Sequence, residues 1–105
     1  MADFVIRVEL YAHPTNEVYD RLQEAMEGNG FSRLIGGFSN STGRRATWYL
    51  PPAEYLLRAN LTLEQARDLA ARVASAVWPT YGILVIHALD IAWDGLRVAE
   101  PSVTY

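Results

Sequence analysis

Phe4-Val5-Ile6-Arg7-Val8-Glu9-Leu10-Tyr11 decides the fold. Phe4, Ile6, Val8 and Leu10 fall on one side of an extended chain; Val5, Arg7, Glu9 and Tyr11 fall on the other. A period of two predicts a strand with one face on a core. His13-Pro14 ends it, because proline lacks an N–H and disfavours helix in the residue before it.

Downstream, Thr15 or Asn16 caps a helix. Val18, Leu22, Ala25 and Met26 form its apolar stripe, and Asp20, Arg21, Glu24 and Glu27 cover the outside. Gly28-Asn29-Gly30 stops it. Residues 31–38 predict a second strand, with Gly36-Gly37 marking a bulge or twist. Ser39 to Gly43 is a turn beside Arg44-Arg45. Residues 46–60 predict a third strand. Pro51-Pro52 interrupts it and leaves 53–60 to pair centrally.

Thr62-Leu63-Glu64-Gln65 is a capping box, and Ala66, Leu69, Ala70, Val73 and Val77 line the second helix to Trp78-Pro79. The run 82–91 is apolar on both faces, which predicts a fourth strand covered on both sides. Asp94-Gly95 is a hairpin turn that feeds a short strand over Leu96–Ala99, ended by Pro101. The order predicts an α+β fold, a ferredoxin-like βαββαβ sandwich. Its four-stranded antiparallel sheet carries two helices on one face and a short C-terminal fifth strand. One domain is expected over 1–105, with core 3–93 and tail strand 96–105.

Composition narrows the chemistry. Half of the 105 residues are hydrophobic, enough for one core. There is no cysteine, which removes disulfides, thiolate catalysis and cysteine-held metals. The net charge of −3 opposes a non-specific nucleic-acid coat, and all nine cationic side chains are arginine. No apolar run is long enough to span a bilayer and no basic leader is present, so a cytoplasmic protein with no membrane partner is expected.

With both helices on one side, the other sheet face is open. Val5, Arg7, Glu9 and Tyr11 lie there, with either Val85, His87 and Leu89 or Leu84, Ile86 and Ala88 from the fourth strand. So much apolar area predicts a homodimer through the open faces, with the tail strand reaching across to the partner; the alternative is a tail that folds back over its own sheet. Arg7 and Glu9, with Arg58 or Glu54 and His87 beside them, form a polar cluster. It reads either as a salt-bridge network or as a hydrolytic or phosphate-handling centre. In the second reading Glu9 is base or metal ligand and Arg7 holds an anion.

Three segments carry a resemblance: Phe4 to Glu9, Val18 to Met26, and Asn29-Gly30-Phe31-Ser32. They resemble the GhoS family of small ferredoxin-like antitoxins, which look like the CRISPR adaptation endonuclease subunit. Family members are endoribonucleases that cut the messenger of a partner membrane toxin. The resemblance implies a catalytic role for Glu9, at a family acidic position late in the first strand, with Arg7 beside it. It matches Arg21 to a family arginine on the first helix, and Gln23 stands where the family has a second one. RNA would be held by Arg21, Arg33, Arg44 and Arg45.

Other chemistries lack their motifs. His13 and His87 are the two histidines and have no metal-ligand spacing, so no cofactor is expected and no divalent metal is indicated, although one is compatible. There is no nucleophile elbow and no P-loop. Tyr11 and Tyr55 are candidates to stack bases, while Trp48 and Trp78 suit the core or the dimer seam. The competing reading is a non-catalytic protein-binding regulator, an antitoxin or phage-type inhibitor, on the same dimeric fold. A third is a ligand-binding module using the open face as a pocket.

Overall fold

The computed structural model describes residues 1–39 and 42–99. The elements run β1 (Ala2–Leu10), α1 (Asn16–Gly28), β2 (Leu34–Phe38), β3 (Arg45–Tyr49), β4 (Glu54–Ala59), α2 (Leu63–Val77) and β5 (Tyr81–Ala88). This is a mixed α+β fold with antiparallel sheets, ferredoxin-like in outline.

The alternation in β1 is realised. Phe4, Ile6, Val8 and Leu10 are buried, while Arg7 and Glu9 are exposed. The buried face meets both helices: Val18, Leu22 and Met26 of α1, and Ala66, Ala70, Val73 and Ala74 of α2. Alanine at three positions spaced one turn apart brings α2 close to the core. Its capping box forms as expected: Thr62 Oγ1 accepts from the Gln65 N–H at 3.1 Å, and Gln65 Oε1 accepts from the Thr62 N–H at 2.9 Å. Thr15 caps α1 without a side-chain bond.

The expected single four-stranded sheet is replaced by two sheets, a three-stranded one in the order β4-β1-β5 and a two-stranded β2-β3 hairpin. Pro51-Pro52 is the cause. Prolines donate no ladder bond, and Ala53 follows them with φ +63°, so residues 46–60 split into β3 and β4. The second strand pairs with β3, and the segment just before it is bonded to β4 at the Ser32–Leu56 bridge, through two bonds of 2.8 Å. That bridge keeps the outline β5-β1-β4-β2.

Gly36-Gly37 is not a bulge. β2 and β3 pair in unbroken register, and Gly37 instead makes room for Trp93, whose ring carbons would lie 2.8 and 2.9 Å from an added Cβ. The expected strand at 96–99 is one bridge, Trp48–Val98. The Tyr49 N–H donates to the Arg97 carbonyl and the Ala99 N–H to the Thr47 carbonyl. Residues 97–99 therefore run along the chain's own β3. The rest of the expected tail strand, residues 100–105, lies outside the described residues. Residues 82–91 are not covered on both sides either: β5 is an edge strand, and Leu84 and Ile86 are about half exposed.

Candidate functional site

The open face is real, and register fixes its membership. Val5 pairs with Leu56 and Ile86, Arg7 with Glu54 and Leu84, and Glu9 with Gly82. Directly opposed residues share a face, so Val5, Leu56, Leu84 and Ile86 form an apolar centre flanked by Arg7, Glu9 and Glu54. Asp3 and Arg58 close one end with a 3.3 Å ion pair, too exposed to add much stability.

His87 is not part of the cluster. It pairs with Phe4 and packs against that ring at 5.4 Å, on the helix side of the sheet. Parity decides this: Phe4 points to the helix side, so its opposite residue does too, although His87 stays exposed there.

Arg7 and Glu9 line a cleft of about 650 Å³ together with Tyr11, Tyr19, Pro52, Ala53, Gly82 and Leu84. Two features shape it. Tyr11 lies across Gly82, where an added Cβ would sit 2.7 Å from its hydroxyl oxygen. The hydroxyl donates to Glu9 Oε2 at a long 3.4 Å. The Tyr11 carbonyl is fixed from behind by Trp78 Nε1 at 2.7 Å. The backbone around the cleft is also unusual: Ala12, His13 and Ala53 all have φ between 56° and 66°. Left-handed backbone outside glycine costs of order 1–3 kcal/mol per residue and concentrates at binding sites.

The four arginines expected to hold RNA do not line this cleft. Arg21 is exposed on α1, and Arg44 and Arg45 are exposed at the tip of the hairpin, with Arg45 over the Phe38 ring at 5.5 Å. Arg33 is spent on structure. It donates to the Leu50 carbonyl at 2.6 Å and to Gln23 Oε1 at 3.3 Å, and it sits 5.9 Å from the Tyr55 ring centre. Tyr55 itself is buried in the core, not on the open face, and burial pushes its phenol up to about 12. Arg33 opposes that rise and Glu27 adds to it. Trp48 packs edge-on against Trp93 at 5.3 Å.

Among the described residues, no three His, Asp or Glu side chains gather as a metal site, and no helix is long and apolar enough to cross a membrane. Tyr19 and Gly82 were missed in the sequence. An isolated glycine in an apolar strand does signal close approach of another group, and Gly82 is such a glycine. Comparison of the chain with family models, with curated proteins and with solved structures gives no match.

Proposed function

We propose that the protein is a non-catalytic binding module, a regulator of the antitoxin or inhibitor kind, that docks a protein partner on its open sheet face. The observation that carries this reading is the composition of that face. Val5, Leu56, Leu84 and Ile86 make one apolar surface, and the Glu9 and Glu54 carboxylates beside it outnumber the Arg7 guanidinium. A complementary partner presents an apolar strip with a Lys or Arg at its flank.

Selection from a displayed peptide library tests this. Wild type should enrich apolar peptides with a basic flank, and the V5K/L56K double variant should lose them. Peptides held equally by both proteins would remove the reading.

A GhoS-like endoribonuclease is the second reading. It is favoured by the placement of Arg7, Glu9 and Tyr11 on a single cleft. Glu9 would take the proton of the attacking hydroxyl and Arg7 would balance phosphate charge. RNA cleavage by purified protein that Glu9→Gln abolishes would establish this reading in place of the first.

A further inference from the structure

β5 is bonded to β1 along one edge, and among the described residues no strand pairs with its other edge. Natural sheets guard such edges with charges, prolines, bulges, short strands or a covering segment. Tyr81-Gly82-Ile83-Leu84-Val85-Ile86-His87-Ala88 carries no Asp, Glu, Lys, Arg or Pro, and its eight residues pair with β1 without a bulge. An unguarded apolar edge of this length is suited to pairing with another strand.

We propose that the free edge of β5 pairs antiparallel with the same edge of a second copy, joining two three-stranded sheets into one continuous sheet. An antiparallel pair of identical strands has a two-fold axis by construction, so both copies use the same surface. The sequence of β5 is self-complementary under that operation. A charged residue near the axis would meet its own like charge, and the strand has none.

Parity narrows the register, because opposed side chains must share a face. With the axis at Val85, Leu84 of each copy lies opposite Ile86 of the other. Gly82 lies opposite Ala88. This arrangement covers Leu84 and Ile86, 55% and 51% exposed in the single chain, at once and symmetrically. It takes Leu84 and Ile86 from the rim of the open face and leaves Val5 and Leu56 uncovered, so it is distinct from a dimer formed face to face.

Light scattering on the full chain, from micromolar to millimolar concentration, tests the proposal. Wild type should reach twice the 11.8 kDa chain mass. L84K/I86K should halve that mass while keeping the far-ultraviolet dichroism of the folded protein. V5K/L56K, altered at the middle of the face and away from the edge, should stay dimeric.

A second measurement does not depend on those variants folding well. The chain has no cysteine, so V85C forms a disulfide only between copies, and it should do so faster than R72C on the exposed side of α2. A monomer throughout, loss of the dimer in V5K/L56K, or equal crosslinking of V85C and R72C would overturn the proposal.

Discussion

The Arg33 guanidinium donates to the Leu50 carbonyl across 2.6 Å and so ties the start of the hairpin to its end. Leu50 is the last residue before Pro51-Pro52, where the chain leaves β3 for β4. The Leu50 N–H also donates to the Arg33 carbonyl. Both bonds sit beside the Ser32–Leu56 bridge, which joins the hairpin to the three-stranded sheet. Arg33 Nε is buried without a partner, a cost that the other two nitrogens offset.

Arg33→Ala should therefore act on stability. It removes a charge-assisted bond to a carbonyl and a bond to Gln23, worth about 1–3 kcal/mol together. Urea unfolding should show a lower midpoint. A variant as stable as wild type would show that the clasp does not hold the hairpin.

Tyr55 gives a pH signature. Its folded phenol titrates at about 12 against an unfolded value of 10.0, so the neutral form is favoured in the native state. Its contribution is fully present below pH 10 and is lost as pH rises from 10 to 12. The total is on the order of 3 kcal/mol. Absorbance titration should contain a tyrosinate component near pH 12 that Tyr55→Phe removes. The same substitution should flatten the alkaline fall in stability.

Gly37 and Gly82 should answer differently to alanine. At Gly37 the new methyl meets the Trp93 ring, itself packed on Trp48, and overpacking of this kind costs about 1–3 kcal/mol. Tryptophan emission should shift with it. At Gly82 the obstacle is the far end of Tyr11, which can swing away, so stability should change by less than about 1 kcal/mol while the cleft loses its Tyr11 wall. Thermal melts of the two variants separate these outcomes.

Thr62→Ala removes the capping-box bond to the Gln65 N–H. Loss of about 1 kcal/mol is expected, read as a lower melting temperature. Thr15→Ala is the control: Thr15 makes no side-chain cap bond, so its loss should cost less.

Much of the fold was legible. The period of two in 4–11 assigned each β1 residue to its face, and the stripes of α1 and α2 matched the side that covers the core. The open face could be read as well, since it is what one-sided helix cover leaves over. The site was legible only along β1: Arg7 and Glu9 share a cleft, as their spacing required. The bonds of Arg33 within the fold were not legible, because its partners, Gln23 and Leu50, are ten and seventeen residues away. Sequence patterns hold no record of such contacts.

Local chemistry, written in the order of residues, set the helices, their caps, the strand faces and the break at Pro51-Pro52. Only the tertiary structure decided which strands share a sheet, that His87 lies beside Phe4 on the face opposite Glu9, and that residues 97–99 return to β3. Register is the physical reason. Each side chain's face follows from its neighbour across the sheet, and a shift of one residue would exchange every face at once.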